Sequence, residues 1–237
     1  MTPELIVALD VPDRSAIGPL VDSLPPEIRW YKIGLEAFAA EGPAALEPLR
    51  SRGKNIFLDL KLHDIPRTVE RAVRAAAAHG AGLVTVHASG GRAMLEAAVK
   101  AAREAGENRP RLLAVTLLTS LDAGDLAELG VTRSPGDQIE ALARLAIDSG
   151  IDGLVCSVHE VGALRRKLGP GPLLVTPGIR LPGGEVGDQK RIGTPAEAAR
   201  AGATHLVVGR PVLDAPDPAA AARKMLEALS WPPTQGR

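Results

Sequence analysis

"NIFLDLKLHDIPRTV", residues 55–69, begins as a strand bound for a core and then breaks that pattern with charge. Ile56, Phe57, Leu58, Leu60 and Leu62 supply the apolar run, while Asp59, Lys61 and Asp64 place two acids and a base among them. Side chains alternate along a strand, so Asp59 and Lys61 share one face and Leu58, Leu60 and Leu62 share the other, toward a helical layer. Asp64 lies beyond the strand, ahead of Pro66. Proline at the first position and Gly80 past the end delimit a helix over "PRTVERAVRAAAAHG". The stretch is therefore a strand with a charged inner edge that feeds directly into a helix.

The same unit recurs along the chain. Further strands are expected at 5–10 (LIVALD), 30–34 (WYKIG), 82–87 (GLVTVH), 112–118 (LLAVTLL), 153–157 (GLVCS), 173–178 (LLVTPG) and 205–209 (HLVVG), with 55–61 making eight. Near-continuous apolar runs of this length suit parallel strands covered on both faces. The segments between them are Ala-rich and punctuated as helices. Thr194, Pro195 and Glu197 form a capping box, and Gly106, Gly150 and Gly202 close other helices. The longest gap, 119–152, has room for a short helix ahead of its main one. Eight strand–helix units without a linker predict one (β/α)8 TIM barrel domain over residues 1–237. An open doubly wound sheet is the competing fold. No Gly-x-Gly-x-x-Gly follows the first strand, which speaks against it.

Composition narrows the function. Twenty-eight basic and 28 acidic residues balance, which gives no support for a nucleic-acid or membrane partner held by bulk charge. No apolar run approaches membrane-spanning length, the opening "MTPELIVALDVPDRS" has no basic stretch, and a lone Cys156 excludes an internal disulfide. A cytoplasmic protein is expected. His63, His79, His87, His159 and His205 show no metal-ligand spacing, and no metal is expected. His87 reads better as a hydrogen-bonded structural residue than as a base, and Cys156 as a small buried hydrophobe.

In such a barrel, function collects at the carboxyl ends of the strands. Those ends carry Asp10, Lys32, Asp59, Lys61, Asp64, His87, Thr119 with Ser120, "TPGIR" (176–180) and "GRP" (209–211). Buried ion pairs can be scaffold alone, but desolvation offsets much of their attraction, so several at one rim point to chemistry. A carboxylate on each side of Lys61 favours the ammonium, making it a proton donor rather than a Schiff-base nucleophile. Independently, Gly178-Ile179-Arg180 and Gly209-Arg210 fall in the loops that bind phosphate in many barrels. There glycine admits backbone N–H groups and arginine offers a forked cation. The intervening "RLPGGEVGDQKRIG" has two open readings, a lid over the ligand or a surface loop.

Taken together, "VALDVP", "YKIGLE", "LDLKLHDIPRTV", "VTVHA", "VTLLTS", "TPGIR", "GDQKRI.TP" (Gly193 at the gap) and "VVGRP", in this order, resemble the orotidine 5′-phosphate decarboxylase family over the whole chain. Gly193 is smaller than the residue the resemblance leads one to expect. The resemblance implies decarboxylation of orotidine 5′-phosphate to UMP, the last step of de novo pyrimidine nucleotide synthesis, without a cofactor. It implies that Lys61 protonates C6 as carbon dioxide leaves, with Asp59 near the substrate carboxylate and Lys32 bonded to ribose and Asp59. Asp10 would bind ribose hydroxyls, Thr119 the pyrimidine edge, and Pro177 would line the pocket. Arg180, Gly209 and Arg210 would hold the phosphate, with Gln189 bridging toward it. It also implies a homodimer with shared active sites, in which Asp64, Ile65 and Thr68 reach into the partner's site. The alternative is a related magnesium-dependent phosphosugar decarboxylase or aldolase, in which Glu36 would serve the metal.

Overall fold

The computed structural model describes residues 2–11, 13–182 and 191–230. Eight strands close into a barrel in sequence order, every neighbouring pair parallel. They are β1 (Glu4–Ala8), β2 (Trp30–Ile33), β3 (Asn55–Leu62), β4 (Ala81–His87), β5 (Arg111–Val115), β6 (Gly153–Val155), β7 (Leu173–Thr176) and β8 (His205–Val208). Closure is made by β1 on β8, with Ile6 opposite Val207. The helices are α1 (Arg14–Ser23), α2 (Leu35–Glu41), α3 (Glu47–Arg50), α4 (Pro66–Ala78), α5 (Arg92–Glu104), α6 (Ala123–Glu128), α7 (Pro135–Asp148), α8 (Val158–Leu168), α9 (Pro195–Ala201), α10 (Arg210–Leu213) and α11 (Pro218–Ser230). The expected barrel is the observed fold, and the gap at 119–152 holds the short α6 ahead of α7.

Local chemistry accounts for these boundaries. Helix α4 starts at Pro66 and buries Val69, Val73, Ala76 and Ala77, one stripe at helical spacing. Thr194 caps α9, its hydroxyl accepting the Glu197 N–H while the Glu197 carboxylate accepts that of Thr194. Most strands end earlier than the apolar runs suggest. Asp10, Thr119, Pro177 and Gly209 all lie just past the paired residues, in the loops above the barrel. β3 and β4 are the exceptions: β4 ends at His87 as expected, and β3 runs on to Leu62.

Two apolar layers result. Inside the barrel, Ile6, Ala8, Trp30, Phe57, Leu83, Leu113, Val175 and Val207 pack together. Outside it, Val7, Leu58, Val84, Leu112, Leu154 and Leu174 belong to the core shared with the helices, and Leu60 and Leu62 pack against that core. The alternation expected from "FLDLKL" therefore holds for the leucines.

His205, at the start of β8, is 4% exposed and sits edge-on to Trp30, with ring centroids 5.9 Å apart. Burial is the main cause that pushes its pKa down to about 4. The neutral imidazole is thus the native form, and the folded state binds fewer protons than the unfolded state between about pH 6.5 and 4. Stability from this group is present at neutral pH and is lost as pH falls through that window, by about 3 kcal/mol in total. Urea unfolding at pH 7 and pH 4.5 should show a smaller loss for His205→Phe, by about 2 kcal/mol, than for the parent protein. Equal losses would remove His205 as the cause.

Candidate active site

One cavity of about 630 Å³ opens at the carboxyl ends of the strands. Among its lining residues are Asp10, Lys32, Asp59, Lys61, Thr119, Pro177, Arg180, Gly209 and Arg210, nine of the residues anticipated from the sequence. Its apolar wall comes from Ala8, Phe57, Val115, Leu117, Val155, Val175 and Val207, the upper side chains of the barrel interior and the start of the loop after β5. Glu36 and Asp214 also face it.

Four of these charges form an alternating chain. Lys61 Nζ lies 3.0 Å from both carboxylate oxygens of Asp59. Lys32 Nζ lies 3.7 Å from the Asp59 Oδ2 and donates to Asp10 Oδ1 at 3.2 Å. The Asp59 and Lys32 side chains are only 13% and 12% exposed, so each is held by a neighbour of opposite sign and not by water. Gly34 makes room for this chain. A Cβ there would stand 3.0 Å from Lys32 Nζ and 3.3 Å from Asp10 Oδ1.

The backbone that carries Asp59 and Lys61 is not a regular strand. Leu58 pairs with Val84, and the next pair is Leu62 with Val86, so three residues of β3 face the single Thr85 of β4. Lys61 accommodates the excess at φ +50°, the single non-glycine residue with positive φ among those described. That conformation is uncommon for a long side chain and costs of order 1 kcal/mol. Such strain is concentrated where function demands a particular direction.

Asp64 differs from the expectation of a second carboxylate at Lys61. It is exposed and its Oδ1 accepts the Ile65 N–H at 2.6 Å, while Asp59 is the acid paired with Lys61 among the described residues. The reason is the end of β3: after Leu62 the chain turns outward into α4, taking Asp64, Ile65 and Thr68 to the surface. None of these three lines the cavity.

On the opposite side, Arg180 is 8% exposed and donates from Nη1 to the Ile179 carbonyl at 2.9 Å, whereas Arg210 is exposed at the start of α10. The "GIR" backbone is zipped to the far end of the loop: Arg180 N–H donates to Gly193 O at 2.9 Å and Gly193 N–H to Gly178 O at 3.1 Å. Gly193 packs on Val158, and a Cβ there would fall 2.7 Å from Val158 Cγ2. The small residue is thus matched to its neighbour. Arg191 adds a second tie, pairing with Glu160 of α8 and donating from Nη2 to the Leu118 carbonyl at 3.0 Å, next to Thr119. Gln189 and most of the proposed lid lie outside the described residues.

His87 and His63 stand side by side, ring centroids 5.3 Å apart. Burial first, then the nearby His63 and Lys61, hold the His87 pKa below its ordinary value, which suits a structural role. Cys156 is buried at the cavity wall, and burial pushes its thiol well up, away from the nucleophilic thiolate. Among the described residues, no group of three or more His, Cys, Asp or Glu is placed to hold a metal ion, and no helix is long and apolar enough to cross a membrane. Thr85, Gly34 and Arg191 lie inside the quoted "VTVHA", "YKIGLE" and "GDQKRI.TP", which assigned them no role at the site. Only Thr85 had a usable signal, since it alternates with Leu83 and His87 on the inner face of β4.

The closed parallel barrel and the charged cavity at its carboxyl rim define a class, the (β/α)8-barrel enzymes. The model of the orotidine 5′-phosphate decarboxylase / HUMPS family matches residues 3–225, and the chain belongs to this family. It is 55% identical over 225 residues to an orotidine 5′-phosphate decarboxylase of Anaeromyxobacter sp. (strain K), covering 95% of this chain and 97% of that one. It is 51% identical to that of Moorella thermoacetica, covering 93% and 89% of the two chains. The crystal structure of orotidine 5′-phosphate decarboxylase from Lactobacillus acidophilus superposes with a TM-score of 0.86 at 36% identity, covering 97% of this chain and 100% of that one.

The fit of Gly193 against Val158 is testable. Gly193→Ala should lower the unfolding free energy by about 1–3 kcal/mol through overpacking, read as a shifted urea midpoint at constant slope. An unchanged midpoint would mean that the loop root gives way freely.

Proposed function

We propose that this chain decarboxylates orotidine 5′-phosphate to UMP without a cofactor, at the carboxyl rim of one barrel domain. The reading is carried by the placement of the Lys61 ammonium. It is 3.0 Å from Asp59, at the third strand of a cavity that Arg180 and Arg210 also line. In this reading the arginines, with Gly209 and Gln189, hold the phosphate. Asp10 and Lys32 hold the ribose, and Thr119 and Pro177 border the pyrimidine.

Loss of carbon dioxide from C6 leaves an electron pair in the plane of the ring, where the π-system cannot take it up. What stabilises it must come from the protein, as a fixed positive charge in a site sheltered from water. Lys61 is that charge, and it then delivers its proton to C6. Asp59 and Lys32 keep the ammonium directed into the cavity, so little reorganisation is needed as charge develops. Each 1.36 kcal/mol of barrier lowering multiplies the rate about tenfold, so one ammonium does not carry the whole effect. Binding the distant phosphate supplies further energy for ordering the loops around the ring. Proximity of Asp59 to the leaving carboxylate would raise the ground state as well. Asp59→Ala with unchanged substrate affinity and reduced turnover would count against that repulsion.

The chain is further proposed to work as a homodimer in the cytoplasm. Ile65 is 66% exposed, a large apolar side chain between the exposed Asp64 and the start of α4, and Thr68 lies exposed one turn on. A partner subunit that took these residues into its own cavity would bury the isoleucine and give Asp64 a cation. The single free cysteine suits a reducing compartment.

Purified protein incubated with orotidine 5′-phosphate and EDTA should produce UMP, followed by the loss of substrate absorbance. Lys61→Ala should abolish turnover, by a factor of about 10⁴ or more if charge and proton are both lost. Activity that disappears with EDTA and returns with magnesium would favour the phosphosugar alternative. Sharing of sites has its own test. Lys61→Ala and Asp64→Ala proteins, inactive apart, should recover about a quarter of wild-type activity when mixed and allowed to exchange. Half the dimers are then hybrids, and each hybrid carries one intact site. No recovery on exchange would confine Asp64 to its own chain.

A further inference from the structure

We propose that Thr85, the second residue of "VTVHA" and one without an assigned role, is a positioning residue that sets Lys61 and Asp59 against each other. Its hydroxyl sits in the gap where three residues of β3 oppose one of β4. Thr85 Oγ1 accepts the backbone N–H of Lys61 at 2.8 Å and donates to Asp59 Oδ1 at 2.9 Å. One atom thus holds both the left-handed backbone that aims the ammonium and the carboxylate that the ammonium meets 3.0 Å away. Thr85 is fully buried, so water cannot take over either bond.

The chemistry of the hydroxyl explains why this residue type stands there. A group that accepts one bond and donates another is needed at the same point, and only a hydroxyl of this size does both. Valine has the same shape and does neither. It would leave the Lys61 N–H buried without an acceptor and set a methyl group against Asp59 Oδ1, while Lys61 would lose the bond that secures its φ of +50°. Serine keeps the hydroxyl and removes only a methyl group. The residue touches no reacting atom: it acts through Lys61 and Asp59.

This inference rests on the decarboxylase reading for its kinetic consequence, but not for its geometry, and the experiment separates the two. Thr85→Val, Thr85→Ser and the parent protein are compared in steady-state decarboxylation and in crystal structures. Thr85→Val should lower kcat by about 10- to 100-fold, as expected when a catalytic group is displaced by about an ångström, with KM changed by less than about threefold. Thr85→Ser should stay within about threefold of the parent in both constants. In the crystals, Lys61 Nζ should leave Asp59 or its φ should leave the left-handed region in the valine variant and not in the serine variant. Three results overturn the proposal: kcat of Thr85→Val within threefold of the parent, equal impairment of the serine and valine variants, or a valine structure with Lys61 and Asp59 in place. A parent protein inert toward orotidine 5′-phosphate would refute the functional reading instead. The two structures would then still decide what Thr85 does.

Discussion

Four charges inside the mouth of an apolar barrel are the constraint on which the site depends. Removing an ion from water costs several kcal/mol even after relaxation. A pair of unit charges 3 Å apart returns roughly 5 kcal/mol at an effective dielectric constant near 20. Neither side wins by much, so the array contributes little to stability and persists only in alternation. Asp10, Lys32, Asp59 and Lys61 follow that order, each cation touching an anion. Removal of Asp59 would leave Lys61 without its carboxylate, and removal of Lys61 would leave the buried Asp59 with Lys32 alone, 3.7 Å away, so the members of the array hold one another in direction.

The barrel provides that direction at modest cost. Most strands stop below the rim and hand over to loops, which carry Asp10, Thr119, Pro177 and Gly209 on short tethers. β3 runs on to Leu62 through an irregularity that places three residues opposite one. The irregularity turns the strand end so that Lys61 and Asp59 look into the same cavity while Leu60 and Leu62 stay packed on the helical side. Bulges of this kind re-aim a side chain without disturbing the sheet beyond them. The next residues leave for α4, and the exposed Asp64 and Ile65 mark the point where the inner face ends and the outer surface begins.

The other half of the rim is built by closure of the loop after β7 on itself. Gly178 and Arg180 are bonded to Gly193, and Arg191 reaches across to Glu160 and to the carbonyl of Leu118. The loop that carries Arg180 and the loop that carries Thr119 therefore share one mechanical root.

The barrel itself was legible in the chain, because parallel strands buried on both faces leave continuous apolar runs and helices between them leave a stripe and caps. The strand in "NIFLDLKL", its handover to a helix at Pro66 and the cap in "TPAE" follow from such local rules, whereas the irregularity at Lys61 and the outward turn of Asp64 do not. Residue types at the rim were legible too, since a lysine or an aspartate inside a strand stands out against its neighbours. What the sequence did not disclose is every feature that depends on a second segment. The two extra residues of β3 exist only against β4, and the place of Thr85 is defined by atoms 24 and 26 positions away. The small size of Gly193 has meaning only beside Val158. Periodicity is a property of one segment and is written along it. Distances between segments are set by the packing of the closed barrel, and so are decided by the tertiary structure alone.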